Sequence, residues 1–150
     1  MVFYLIFGPL PEEMGWRGYA LDRLQARWSA LTSGLILGVA WASWHLPQFF
    51  IEGTYQRGLG FGSTSFWIFM LSIIMLSILH TWIYNNTRRS TLSAILFHFV
   101  VNFTGELFAL TTRAEALSFA LTLLAVLLVV AGWGPKRLAY QEESSSSAIR

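Results

Sequence analysis

An all-α fold follows from this sequence: a polytopic transmembrane helical bundle with four full spans, preceded by a partial N-terminal helix. Three observations carry that expectation. Charged residues make up 12% of the 150 positions, about half the share usual in a soluble domain. Four apolar runs, 31–51, 66–84, 92–110 and 116–133, each come close to the roughly 20 residues that a helix needs to cross about 30 Å of hydrocarbon. Within lipid every backbone amide must also be satisfied inside its own segment, so runs of this length can only be helices.

Taken in order, residues 1–10 are apolar but too short to span. They lack the basic flank and small-residue cleavage site of a signal peptide. They are expected to be the lower half of a spanning helix, in a chain truncated at its N-terminus. That helix is expected to continue past Pro11 to about Arg23. Leu21 and Leu24 share one face of 18–27, with Asp22, Arg23, Gln25 and Arg27 elsewhere, which suits a helix end or a short interfacial helix. In the run 31–51, Gly34, Gly38 and Ala42 recur at four-residue spacing, a small-residue face that lets a neighbouring helix approach closely. His45 follows Gly38 by seven residues and so falls on nearly the same face, aimed at a packed interior. Residues 52–65 hold Gly53, Gly58, Gly60 and Gly62 and form a loop, and 85–90 is a tight basic connection. The tryptophans Trp28, Trp41, Trp44, Trp67, Trp82 and Trp133 lie mostly toward span ends, where an aromatic belt would put them. Residues 1–134 are thus one membrane domain, and 135–150, with four consecutive serines, a disordered cytoplasmic tail.

The ten basic residues sort by side. Arg17, Arg23, Arg27, Arg88, Arg89, Lys136, Arg137 and Arg150 fall on one side of the expected spans, and only Arg57 and Arg113 on the other. By the positive-inside rule the first side is cytoplasmic, placing a multi-pass protein in the cell membrane with its C-terminus inside. The basic clusters therefore set topology and do not form a nucleic-acid surface. With no cysteine in the chain, disulfides, thiolate metal sites and cysteine nucleophiles are excluded.

Polar groups interrupt the apolar pattern at four places. An ionisable side chain at the bilayer centre costs about 2.5–3.5 kcal/mol on insertion scales, so such residues usually face the bundle interior and serve a function. The first place is Glu12-Glu13-Met14-Gly15-Trp16-Arg17. Glu13 and Arg17 are four apart, the spacing for an ion pair, and that pairing frees Glu12 to point elsewhere. The second is His45, after Trp44. The third is His98 with Asn102, one turn apart on the same face. Glu106 extends that stripe toward the far interface, and His80, alone near a span end, is assigned a structural role. At 1.5 Å per residue, Glu12 lies about 16 Å from Arg23, His45 about 22 Å from Ala30 and His98 about 13 Å from Arg89. All three distances run inward from the same side, so the groups can meet at one depth.

A site of this kind has the parts of a hydrolase. A carboxylate and an imidazole can hold and deprotonate a water, while a second imidazole and an amide can donate to the oxyanion formed at a carbonyl. In the order Glu12-Glu13-x-x-x-Arg17, Trp41-Ala42-Ser43-Trp44-His45 and His98-x-x-x-Asn102, the chain resembles the CAAX-protease and bacteriocin-processing intramembrane proteases, a group that includes the type II CAAX prenyl endopeptidases. The resemblance covers about residues 1–110. It implies that Glu12 is the base that activates water with help from His45, that His98 and Asn102 form the oxyanion site, and that Glu13 and Arg17 shape the first motif. It implies a lipid bilayer and a peptide or prenylated protein as partners. Members are often described as metalloproteases, and Glu12, His45 and His98 could ligate a zinc ion with water as the fourth ligand. The same residues serve a metal-free mechanism, which is preferred. Two other classes compete: a non-proteolytic bacteriocin-immunity or scaffold protein of the same fold, and a proton-coupled transporter. The paired Glu-His and His-Asn groups favour the peptidase.

Overall fold

A computed structural model describes residues 2–107 and 112–139, and all of its regular elements are helices. They are α1 (Val2–Phe7), α2 (Pro9–Gly15), a π-helical turn (Trp16–Ala20), α3 (Leu21–Gln25), α4 (Ala30–His45), a 3-10 turn (Leu46–Phe50), α5 (Tyr55–Leu59), α6 (Thr64–Asn86), α7 (Thr91–Leu107) and α8 (Thr112–Trp133). As expected, the N-terminal helix runs past Pro11 and through the π turn to Gln25. Pro9 and Pro11 fall in the first turn of α2, where no backbone N–H is needed.

Among the described residues two helices, Thr64–Asn86 and Arg113–Trp133, are long and apolar enough to cross a membrane, and Thr91–Gly105 is a shorter apolar helix. On α8, Leu117 and Leu128 are each 61% exposed. An apolar helix that turns so much leucine outward is at home in lipid and not in water. The run expected to span 31–51 as one helix is instead broken. Its α-helical part ends at His45, because Pro47 supplies no N–H to continue the ladder and Leu46–Phe50 tightens into a 3-10 turn.

The long helices begin where their caps dictate. The Ser29 hydroxyl accepts from the Thr32 N–H at the start of α4, and the Ser63 hydroxyl from the Phe66 N–H at the start of α6. α4 and α6 form the most extensive pair, with α8 and α7 packed on α6 and α2 resting on α7. The small-residue face of α4 makes the first of these contacts. A Cβ on Gly38 would lie 2.8 Å from Ile74 Cα and 3.1 Å from Ser77 Cβ, and one on Gly34 3.3 Å from Ile78 Cα. Gly38→Leu is accordingly expected to destabilise the protein by at least the 1–3 kcal/mol of an overpacked core. Gly132→Ala, which meets nothing within 4 Å, should be neutral or better. Thermal melting of the detergent-purified protein separates the two outcomes, and equal melting points would sink this packing assignment.

The two ends of the bundle differ. At one end the Ala30 N–H donates to the Lys136 carbonyl and the Asn85 amide to the Arg137 carbonyl, which gathers the basic turns 87–89 and 135–137 beside the start of α4. At the other, Ser65 and Tyr55 donate to Glu115. Arg17 belongs to neither end, contrary to its place in the charge count: it is fully buried. The tail expected over 135–150 is instead ordered at its start, where 135–138 bond to α4 and α6 and Leu138 is fully buried; residues 140–150 lie outside the described residues, as does the Glu106 side chain.

Candidate active site

Neighbouring residues on a helix project about 100° apart, so the two adjacent carboxylates of the first motif cannot face the same partner. Glu13 turns inward with Arg17, and both are 0% exposed. Arg17 Nη1 donates to Glu13 Oε1 at 2.9 Å, and Nη2 donates to Ser77 Oγ on α6 at 3.1 Å. The predicted i,i+4 pair therefore forms, and a second helix holds it as well. Glu12, half-buried, turns toward α4, where its Oε2 accepts from Trp41 Nε1 at 2.7 Å.

Trp41 is the hub of the site. It is 3% exposed, not part of an interfacial belt. Its ring lies 5.0 Å from His98, 5.5 Å from His80 and 6.1 Å from His45 between centroids, and the Arg17 guanidinium sits over it at 5.1 Å. One indole thus touches members of all three motifs. α4 carries it there because Trp41 precedes His45 by one turn and follows Gly38, whose missing side chain lets α4 close on α6.

The histidine protons can be assigned from their partners. A carbonyl oxygen can only accept, so His45 Nδ1 donates to the Trp41 carbonyl at 2.8 Å, and His80 Nδ1 donates to the Leu76 carbonyl at 2.7 Å. His98 Nδ1 donates to Glu13 Oε1 at 2.9 Å. Each neutral ring is therefore left with a bare Nε2 lone pair. For His80 that Nε2 is buried without a hydrogen-bond partner, 3.8 Å from Glu13 Oε1.

The residues named from sequence are distributed as follows. Glu12, His45 and His98 all lie around Trp41, and Asn102 is half-buried one turn beyond His98. Glu13 and Arg17 sit beneath them. His80 does not stand apart as its sequence position suggested: α6 runs past the site, and its inner face carries Ser77, His80 and Thr81, all 0% exposed. Among the described residues the close-set group able to hold a metal ion is Glu13, His80 and His98, with ligand atoms within 4.8 Å of one another. That differs from the Glu12, His45 and His98 set drawn from the motifs, because Glu13 and not Glu12 faces α6 and α7. Arg17 already occupies Glu13 Oε1, which places a guanidinium charge beside any cation bound there.

Sequence reasoning put Trp41 in an interfacial belt and set His80 apart from the site, and it did not single out Ser77. A signal for Trp41 was present in its place on the small-residue face one turn before His45. Ser77 and His80 lie three apart inside an apolar run, which marks an inward polar face.

The fold and site define a membrane helical protein with a buried carboxylate-imidazole centre. The family described as Type II CAAX prenyl endopeptidase Rce1-like matches residues 1–104. A protein of Methanococcus maripaludis named CAAX prenyl protease 2 is 34% identical over 133 residues, covering 87% of this chain. The chain belongs to the Rce1-like type II CAAX prenyl endopeptidase family. It spans 48% of the length of the Methanococcus relative.

Proposed function

We propose that this chain carries the hydrolytic centre of an intramembrane endopeptidase, which cleaves a peptide bond of a membrane-associated peptide or prenylated protein with a water activated by Glu12 and His45. The observation that carries this reading is the division of labour between the adjacent carboxylates. Glu13 is consumed in a buried network, while Glu12 keeps Oε1 free and lies beside Trp41 on the same helix as His45. A carboxylate positioned by one indole N–H and a bare imidazole Nε2 are together suited to hold and deprotonate a water.

His98 supplies the other half of the reaction. Because its Nδ1 proton is committed to Glu13, Nε2 can donate to a developing oxyanion only when the ring carries a second proton. The Glu13 carboxylate is placed to balance that imidazolium, and Asn102 adds a neutral donor one turn away. Family membership supports peptide or prenylated protein as the substrate class. A metal held by Glu13, His80 and His98 would polarise a carbonyl or acidify a water. We favour the metal-free route, since Glu13 is already paired with Arg17.

Four crossings complete the topology. At about 1.5 Å per α-helical residue and about 2.0 Å per 3-10 residue, α4 with its 3-10 extension covers about 34 Å, enough to cross beside α6, α7 and α8. The basic end faces the cytoplasm. The test is cleavage of a farnesylated peptide by the product of the full-length gene reconstituted in vesicles. Asn102→Ala should lower kcat by about 10² to 10³, the loss typical of one oxyanion donor, with little change in membrane yield. Undiminished cleavage in that variant would remove Asn102 from the oxyanion site, and no cleavage by the parent protein would defeat the peptidase reading.

A further inference from the structure

At the basic end of the bundle a cavity of about 310 Å³ is lined by Gln25, Trp28, Asn85, Arg89, Lys136 and Arg137. It lies well away from the buried centre, and neither the motifs nor the hydrolytic reaction uses it. We propose that it is a binding site for the phosphate headgroup of an anionic phospholipid.

Four features support a built site over a chance cluster of surface cations. First, the chain after α8 is pinned in place. The Asn85 amide donates to the Arg137 carbonyl at 2.7 Å and the Asn86 amide to the Leu138 carbonyl at 2.8 Å, while the N–H groups of Ala30 and Leu31 donate to the carbonyls of Lys136 and Pro135. Leu138, 0% exposed, plugs the turn into the core, although its φ of 46° lies in the left-handed region that a leucine rarely adopts. Lys136 and Arg137 therefore project from a rigid support.

Second, Arg89 is presented in the same way. Arg88 and Arg89 both have left-handed backbones, with φ of 55° and 59°, where a helix usually ends on glycine or asparagine. Such conformations cost on the order of 1–3 kcal/mol each and persist where surrounding structure over-determines them. Here the Arg89 N–H donates to the Tyr84 carbonyl at 2.9 Å, and the strained turn aims a cation at the cavity.

Third, no carboxylate among the described residues lines the cavity. Asp22 Oδ1 lies 3.6 Å from Arg89 Nη1 in a pair whose side chains are 57% and 42% exposed, and such exposed pairs are weak. Three cations held together with so little compensation repel one another, and that repulsion is relieved by an anion.

Fourth, depth selects the source of the anion. The cavity sits where α4 begins and α6 and α8 end, the level of the membrane-water interface for helices that cross. Trp28 at its wall is 54% exposed, as suits an indole among headgroups. Basic pockets between helix ends at this level are the places where lipid phosphates bind. On the polar floor Gln25 and Asn85 are joined in a reciprocal amide pair at 2.9 and 3.1 Å, and the second N–H of Gln25 Nε2 is left to donate to a glycerol or phosphate oxygen.

The test uses the full-length protein, purified and mixed with equal amounts of phosphatidylcholine and phosphatidylglycerol, with retained lipid counted by native mass spectrometry. Phosphatidylglycerol should be retained preferentially. Lys136→Gln combined with Arg137→Gln should weaken that preference roughly thirtyfold, about fivefold for each cation removed. Arg57→Gln at the opposite end should leave it intact. Equal retention of the two lipids, or undiminished preference in the double variant, overturns the proposal. So does a thermal stabilisation by inorganic phosphate equal to that by phosphatidylglycerol, which would make the cavity a phosphate site. A double variant destabilised in lipid-free detergent would also overturn it, by marking the cations as partners of the chain's own carboxylates.

Discussion

Glu12→Gln is expected to abolish cleavage while leaving the amount of inserted, folded protein unchanged. The amide keeps the shape of the carboxylate, and its oxygen can still accept from Trp41 Nε1, the bond that now holds Oε2 at 2.7 Å. Glu12 is half-buried and makes no ion pair among the described residues, so neutralising it strands no buried charge. What the amide cannot do is take a proton from water. A positioned general base is worth about 10² to 10⁴ in rate, and a variant without one should fall by the upper part of that range. The measurement is kcat for a farnesylated peptide in vesicles, set against membrane yield by immunoblot. Cleavage within a few-fold of the parent would show that another group activates the water, and His98 with its bare Nε2 would be the next candidate.

The same position shows what could be read without coordinates. That Glu12 and Glu13 have separate tasks was legible, because the four-residue spacing to Arg17 picks out one of them and helical geometry sends the other elsewhere. The approach of another helix to the Gly34 and Gly38 face was legible for a similar reason, since a missing side chain has few uses in an apolar helix besides close packing. The identity of the partner helix was not, because several apolar runs could have filled the groove. The neighbours of His80 were not legible on the same account. Its sequence neighbours are apolar, and only the crossing of α6 against α2, α4 and α7 brings it to Glu13. Trp41 was hidden by a correlation: tryptophans gather at membrane interfaces, and its position could be taken for one. The break after His45 could have been anticipated from Pro47, whose lack of an N–H ends the regular ladder whatever the hydropathy says.

Arg17→Met is expected to be the most destabilising single change in the chain. Both Arg17 and Glu13 are completely shielded from solvent. The guanidinium bonds Glu13 and Ser77 at the same time and lies over the Trp41 ring at 5.1 Å. Methionine fills much of the space but leaves the Glu13 carboxylate buried with His98 as its remaining short partner. Removing one member of a buried pair typically costs 3–5 kcal/mol, because the charge left behind has no compensation. Arg17→Lys should recover only part of this. An ammonium can reach Glu13 as a point charge, but it lacks the planar fork that joins α2 to α6 through two separate groups. Adding Glu13→Gln to Arg17→Met should recover more, since the double variant has neither charge to desolvate and the two effects are coupled through one contact. It should still cleave poorly, because His98 would lose the carboxylate that balances its second proton. Melting temperatures of the three variants in detergent, read beside their cleavage rates, test this order. If Arg17→Met melts with the parent protein, the buried pair contributes nothing to the fold. If the double variant regains stability and full activity together, Glu13 plays no part in holding His98 for the reaction.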